Sequence, residues 1–198
     1  MIRPGLSAFH QTSRKKTAAL FWLGLVCIAT ALPGCATVSI QSVRDPSYTN
    51  MIHKLYVIIN EIQVDNIDSS YTPLLTSALK NEFSQHGVEI NVRSADPLVL
   101  DEKNYMAEIE SYKPDGVMTI VSTGGVRGPY GGMMQIIYDV SLFDSSNAKR
   151  RIWRAQINAA GGTAVREKRM ELMAQNLVSR LIEDKLISSE PRSKQQKM

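Results

Sequence analysis

The sequence contains 198 residues, of which 43% are hydrophobic and 21% charged, and its formal net charge is +4. Residues 1–34 hold four of the 23 basic residues and no acidic one, so the other 19 basic residues are matched by 19 acidic residues. This balance argues against nucleic acid as a partner, because such partners select a basic surface. Residues 35–198 have the length of one domain with its own core.

Residues 1–34 have the three parts of a secretory signal. Basic Arg14-Lys15-Lys16 precedes the apolar stretch 17–31, and Leu32-Pro33-Gly34-Cys35 follows it. These last four residues resemble the lipobox of bacterial lipoproteins, with Pro33 in place of the usual small or hydroxyl residue. The resemblance implies that Leu32, Pro33 and Gly34 are recognised by the signal peptidase, that cleavage falls before Cys35, and that Cys35 is lipidated.

Two other interpretations of this stretch are a plain secreted protein and an uncleaved transmembrane anchor. The apolar run 17–32 is 16 residues long and is followed by Pro33-Gly34, whereas a membrane span needs about 20 apolar residues. We therefore expect acyl chains to hold the protein on a membrane. Ala36 follows the cysteine, where Asp marks inner-membrane retention in the best-known lipoprotein system. The resemblance thus implies an outer-membrane protein that faces the periplasm.

The rest of the chain divides into three predicted parts. Residues 35–52 have no clear period and contain Asp45-Pro46 and several serines, which predicts a lipidated tether. Residues 53–187 form the predicted periplasmic domain. Residues 188–198 are polar and poor in apolar side chains, which predicts a disordered tail.

Hydrophobic periodicity predicts eight elements in the domain. The apolar run 55–59 predicts a strand covered on both faces, a helix follows from 72 and ends at Gly87, and residues 88–92 alternate as a second strand. A short helix is predicted over 105–112 and a third strand over 116–121. Residues 134–142 and 153–158 predict a hairpin with one buried face, and the apolar stripe over 170–182 predicts the last helix.

The predicted order is therefore β-α-β-α-β-β-β-α, an α/β (α+β) fold with a mixed sheet and helices mainly on one face. This order, the Gly-rich link and the hairpin with Tyr138, Val140, Leu142 and Ile152-Trp153-Arg154-Ala155 resemble one loose group of periplasmic lipoprotein domains. The group includes the amino-terminal domain of the Tol-Pal propeller protein, the curli-secretion lipoprotein and the activators of penicillin-binding proteins.

The resemblance implies a non-catalytic lipoprotein of the cell envelope that binds or assembles other envelope proteins. A subunit of a curli-type secretion channel is the alternative, and a tethered periplasmic hydrolase is a third possibility from another class. Homo-oligomers are compatible with each of these. No nucleic acid and no cofactor are expected.

The glycine-rich segment 124–132 has the most unusual composition of the chain. Its glycines suit a phosphate cradle, but the Gly-Lys-Ser/Thr ending of a P-loop is missing and a strand follows instead of a helix. A mobile connection is the simplest interpretation. A partner-binding loop is the other, because Val126, Arg127, Pro129 and Tyr130 offer apolar and cationic groups on a flexible frame.

Residue patterns for catalysis or metal binding are missing from the sequence. His53 and His86 are the only histidines outside the signal, and each is expected to lie at the surface or to cap a helix. Because no pair of ligands has metal-site spacing and no Gly-x-Ser-x-Gly motif occurs, we predict neither a metal site nor catalytic residues. The basic cluster formed by Lys149-Arg150-Arg151 and Arg154 is interpreted as a solvated hairpin tip, or alternatively as a contact for anionic lipid or glycan.

Overall fold

The computed structural model describes residues 36–60, 71–95, 102–129 and 132–189. These residues form a six-stranded mixed sheet with three α-helices and one short 3-10 turn. The strands are β1 (Thr37–Arg44), β2 (Lys54–Asn60), β3 (Glu89–Ser94), β4 (Gly116–Arg127), β5 (Met133–Asp144) and β6 (Asn147–Ala160). The helices are α1 (Tyr71–Gln85), α2 (Glu102–Tyr112) and α3 (Arg166–Glu183).

The strands lie in the order β1-β6-β5-β4-β2-β3. β2 runs parallel to β3 and β4, whereas β4, β5 and β6 are antiparallel neighbours. The predicted order of eight elements is found from β2 to α3, and the mixed α+β fold class is confirmed. The helix stop at Gly87 is also confirmed, because this glycine has a φ of 73°, which L side chains rarely adopt.

The predicted tether is wrong for residues 37–44, because they form β1 at one edge of the sheet. β1 pairs antiparallel with β6, and Ile40 lies opposite Ile157. Val38 and Ile40 of this strand pack on the core. β1 thereby pairs with an edge of β6 whose backbone groups would otherwise be unsatisfied.

One face of the sheet is covered by α1 and α3. Leu55, Val57 and Ile59 of β2 point to this face and are buried, as are Leu75 and Leu79 of α1. The apolar stripe predicted for the last helix is buried there as well, and its members are Met170, Met173, Ala174, Leu177, Val178 and Leu181. This covered face therefore holds the main core of the domain.

The opposite face of the sheet, called here the free face, carries α2. Tyr56 alternates with Leu55 and Val57, so it points away from the main core, and its hydroxyl donates a hydrogen bond to Glu108 of α2 at 2.7 Å. Two of the three described helices thus share one face, and α2 lies on the other. The prediction of helices mainly on one face holds in this form.

The two ends of the sheet differ in which segments they bring together. At the end where β1 begins, Thr37 lies opposite Ala160, Ala160 opposite Gln135, and Gln135 opposite Val126. This row defines the proximal end, named for its closeness in sequence to Cys35. At the distal end, Arg44 lies opposite Trp153, and the turn Ser145-Ser146 connects β5 to β6.

Candidate functional site

The lipobox residues Leu32, Pro33, Gly34 and Cys35 lie outside the described residues, but Ala36 is described. Ala36 is half-buried and packs against Gly161, where an added Cβ would lie 3.1 Å from the Cα of Ala36. Gly161 also has a φ of +146°, which favours glycine. The residue directly after the predicted lipidation site is therefore already packed on the end of the sheet.

Residues 124–127 of the glycine-rich segment belong to strand β4 and pair with β5, so this part is sheet where a mobile connection was expected. Val126 and Arg127 belong to β4 and pair with Gln135 and Met133 of β5. The Gly128 amide donates a hydrogen bond to the Gly132 carbonyl at 2.8 Å, which narrows the hairpin toward its tip.

Val126, Arg127 and Pro129 are all exposed on this hairpin. The structure thus brings three of the four predicted loop residues together at the proximal end. Tyr130, the fourth, lies outside the described residues.

One glycine of the hairpin is required by close packing. A Cβ at Gly125 would lie 2.5 Å from the Gln135 carbonyl oxygen, which is shorter than any real contact. At Gly128 the atom nearest to an added Cβ is the sulfur of Met134 at 2.9 Å, which belongs to an exposed, flexible side chain that can move aside. The register also shifts between Ser122 and Gly124. Gly125 therefore lets the two strands approach each other, and the backbone of residues 124–127 is paired with β5.

A fully buried arginine stabilises the proximal end from inside. Arg169 of α3 donates hydrogen bonds to the carbonyls of Met133 and Gly161 at 3.0 and 2.7 Å, and to the Tyr71 hydroxyl at 2.6 Å. It thereby connects the start of β5, the end of β6 and the start of α1. Sequence analysis missed this residue, although it stands four positions before Met173, in phase with the apolar stripe.

A second cluster connects β1 to the end of α3 at the distal end. One carboxylate oxygen of Asp184 accepts hydrogen bonds from Ser42 at 2.7 Å and from the Trp153 indole at 2.6 Å. The Arg44 guanidinium donates to the Asp184 carbonyl at 2.6 Å. β1, β6 and the end of α3 thus meet at Asp184, and β1 also pairs with β6 from Thr37 to Arg44. β1 is therefore held as part of the domain along its whole length.

A polar network binds α2 to the free face. Glu108 accepts hydrogen bonds from Tyr56 and Arg93, and Arg93 also lies over the ring of Tyr105. The hydrogen bond from Tyr56 lowers the pKa of Glu108, with a further contribution from Arg93. Burial raises the pKa of the Tyr56 phenol, and its contact with Glu108 raises it further. Tyr56 therefore stays protonated and Glu108 ionised at neutral pH.

An apolar groove lies beside this network, between α2 and the free face. It has a volume of about 560 Å³. Met106 at its rim is 53% exposed, and Glu110 and Lys113 provide a charge of each sign. The apolar lining comes from Ile58, Met106, Ile109, Val117 and Phe143.

Two of the four residues of the predicted basic cluster form ion pairs in the folded chain. Arg150 donates hydrogen bonds to Asp45 at 2.8 and 3.1 Å, and Arg154 forms an ion pair with Asp139 at 3.3 Å. Arg151 is exposed. These pairs weaken the interpretation of this hairpin as a contact for anionic lipid or glycan.

The other sequence features concern metals and membrane spans. His53 is exposed, and His86, directly after the end of α1, lies 3.9 Å from Glu82 in the last turn of that helix. Within the described ranges, no group of three His, Cys, Asp or Glu side chains is arranged to hold a metal ion. Among the helices described, none combines the length and the hydropathy that crossing a membrane requires.

Comparison with known proteins gives similarity in structure only. Neither a family model nor a curated protein sequence matches the chain. PelC from Paraburkholderia phytofirmans, solved as a dodecamer, is 12% identical with a TM-score of 0.46, over 70% of this chain and 96% of that chain.

Two further solved structures are similar at the same level. Lipoprotein GNA1162 from Neisseria meningitidis is 13% identical with a TM-score of 0.37, over 66% of this chain and 98% of that chain. Protein XCC0632 from Xanthomonas campestris is 12% identical with a TM-score of 0.42, over 73% and 92% of the two chains. These TM-scores are too low to carry an argument about function, which has to come from the residues of this chain.

Proposed function

We propose that this chain is a lipid-anchored protein of the bacterial cell envelope that is held on the outer membrane through Cys35. In this proposal it faces the periplasm and acts by binding other envelope proteins, without catalysis. The observation that carries the proposal is the lipobox-like sequence Leu32-Pro33-Gly34-Cys35, which ends one residue before the folded domain. A cleavage site is expected at such a boundary, because cleavage there leaves the whole domain intact.

The free face supports binding as the mode of action. Its groove offers apolar side chains beside charged ones, which is the mixture found at protein interfaces. The Tyr56–Glu108 pair is a poor candidate for acid–base chemistry, because such chemistry needs a pKa near the working pH. Here the pKa of the phenol is raised and that of the carboxyl is lowered, so both pKa values move away from neutrality.

The anchor is tested by comparing the two cysteines of the sequence. Cys35→Ala should abolish metabolic labelling with fatty acid and leave the precursor uncut at this site. Cys27→Ala, within the apolar stretch that is expected to be removed, should leave both labelling and cleavage unchanged. Mass spectrometry that places the mature amino terminus elsewhere, or finds it unmodified, would refute the anchor.

Localisation is tested by separating inner and outer membranes on a density gradient. We expect the wild-type protein to be recovered with outer-membrane markers. Recovery mainly with inner-membrane markers would contradict the outer-membrane part of the proposal and leave the anchor itself standing.

Binding is tested by photo-crosslinking in cells. A photoreactive residue at Met106, on the rim of the groove, should form adducts with other envelope proteins. The same photoreactive residue at Lys168 serves as the matched control. Lys168 is exposed on α3, the helix that packs on the covered face, and this position should form few adducts. Equal or absent adducts at the two positions would count against binding through the free face.

A further inference from the structure

We infer that the proximal end of the sheet is a membrane-contacting surface, on which the β4–β5 hairpin rests against phospholipid while the strands point away from the bilayer. The inference rests on the proposed anchoring at Cys35. It assigns to Val126, Arg127 and Met134 a lipid partner, where the sequence suggested a loop that binds proteins.

A lipid on Cys35 would lie close to the sheet. Successive Cα atoms are about 3.8 Å apart, so Cys35 lies within about 8 Å of Thr37, the first residue of β1. Ala36 between them is half-buried and packed against Gly161. The chain therefore has no flexible tether that could let the domain stand away from the bilayer.

The proximal end is the part of the sheet that lies beside the proposed anchor. Thr37, Ala160, Gln135 and Val126 form one row across four neighbouring strands. With strands about 4.8 Å apart, Val126 lies about 14 Å to the side of Thr37. Because the row runs across the sheet and not along it, a bilayer that touches the start of β1 also reaches the hairpin.

The proximal end presents exposed apolar side chains next to a cation. Val126 is 53% exposed and Met134 is 49% exposed, and Arg127 between them in the hairpin is exposed as well. Apolar side chains next to a cation suit the headgroup region. The apolar side chains reach toward the acyl chains, and the cation pairs with phosphate.

The distal end provides an internal comparison. Val43 is 76% exposed and Met51 is 49% exposed, so exposure alone does not mark the lipid-contacting end. The lipid-contacting end is marked instead by the position of the anchor. Val43 lies six residues beyond Thr37 on β1, which at about 3.4 Å per residue places it roughly 20 Å from the proximal row, and Met51 lies near the far end of the 12-residue β5, roughly 40 Å from its start. In an upright domain, Val43 and Met51 lie far outside the bilayer.

These residues allow a matched test with tryptophan as the reporter. The full chain is expressed in bacteria, and the mature protein is purified from membranes and reconstituted into phosphatidylethanolamine–phosphatidylglycerol vesicles that contain brominated lipid. Met134→Trp and Val126→Trp report on the proximal end, and Met51→Trp and Val43→Trp on the distal end. The native Trp153 is 1% exposed and gives the same background in every variant.

We expect brominated lipid to quench the added emission of Met134→Trp and Val126→Trp, and to leave that of Met51→Trp and Val43→Trp unchanged. Adding Arg127→Glu should reduce the quenching at position 134, whereas Arg151→Glu, an exposed arginine near the distal end, should not. Circular dichroism shows whether each variant is folded. Because there are two proximal reporters, the test remains possible if one of these two variants fails to fold.

Vesicle flotation separates this inference from the proposed anchor. Protein that floats with the vesicles but shows equal quenching at both ends, or quenching at the distal end only, overturns the membrane-contacting surface and leaves the anchor intact. If the hairpin binds a protein instead of lipid, the proximal tryptophans would stay unquenched in these protein-free vesicles. This result would also overturn the membrane-contacting surface. Protein that does not float overturns both the anchor and the orientation built on it.

Discussion

The covered face and the free face of the sheet are built from the same strands but are stabilised in different ways. On β6, Trp153 points to the covered face and is fully buried, whereas its neighbour Arg154 points to the free face and pairs with Asp139 near the surface. Burial of apolar area is worth about 25 cal/mol per Å², whereas an exposed ion pair contributes about 0–1 kcal/mol. Alternate residues of one strand therefore differ several-fold in their expected contribution to stability.

Each face also contains one exception to its own pattern. The covered face buries the charged Arg169, and the free face buries the aromatic ring of Tyr56. In both cases hydrogen bonds compensate for burial: the Tyr56 hydroxyl donates to Glu108, and both terminal nitrogens of the Arg169 guanidinium donate, although its Nε is left without a partner. Substitutions at these positions test whether the two faces differ as described.

Trp153→Ala should have the largest effect. Truncating a buried tryptophan costs about 3–5 kcal/mol, against a total stability of about 5–15 kcal/mol for a domain. The substitution also removes the donor to Asp184 at the distal end. Chemical denaturation should show a protein close to unfolding.

The matched control is Arg154→Ala on the free face. It should change the free energy of unfolding by no more than about 0.5 kcal/mol, because the lost ion pair is largely exposed. Equal losses for the two substitutions would show that burial does not distinguish the two faces of β6.

Arg169→Leu should have the next largest effect. Two carbonyls and the Tyr71 hydroxyl would lose their donor in a buried site, and each unsatisfied buried group costs about 1–3 kcal/mol. We expect a net loss in this range, since removing the buried charge offsets part of the cost. The adjacent Lys168→Ala, on the exposed side of α3, should be nearly neutral. Unchanged stability for Arg169→Leu would mean that the cost of burying the guanidinium cancels its hydrogen bonds.

Tyr56→Phe should have a smaller effect on the free face. It keeps the buried ring and removes only the hydrogen bond to Glu108, which predicts a loss of about 1 kcal/mol in chemical denaturation. Glu110→Gln, an exposed carboxylate of the same helix, is the control and should be neutral within about 0.5 kcal/mol. A neutral Tyr56→Phe would show that apolar packing alone holds α2 on the sheet.

Asp45→Asn should have the smallest effect, and the effect should depend on pH. Hydrogen bonds from Ser47, and then Arg150, lower the pKa of Asp45 from 3.8 to about 2. Its carboxylate therefore stabilises the fold above about pH 4, and this contribution is lost as the pH falls toward 2. The thermal midpoints of wild type and Asp45→Asn should differ slightly at pH 6 and converge near pH 2. A difference that grows on acidification would contradict this assignment.

The sequence predicted the elements whose periodicity is set by burial. The stripe of α3 and the hairpin of β5 and β6 each have apolar residues at a regular spacing, because a single face of each meets the core. β1 was missed because its inward positions include Ser42 and Arg44, which are satisfied by Asp184 and its neighbours. A local pattern cannot show partners that lie more than 100 positions away in the chain.

The candidate surfaces were predicted only in part. Val126, Arg127 and Pro129 stood out by composition, but their place beside the start of β1 depends on the pairing of four strands. Arg169 was missed because an arginine in a helix is usually solvated, and its hydrogen-bond partners come from three separate elements. The free-face groove also required the placement of α2, which periodicity does not determine.

The pairing of β1 with β6 has a consequence for the order of events during export. Thr37 and Ala160 are separated by on the order of 120 positions, and closing a loop of that size costs about 4 kcal/mol of chain entropy. On the export route that the proposed lipobox implies, β1 would be among the first parts of the domain to leave the translocation machinery, and its partner strand among the last. An amino terminus already fixed in lipid would wait for the carboxyl-terminal half, and completion of the sheet would be the slow, late step of maturation.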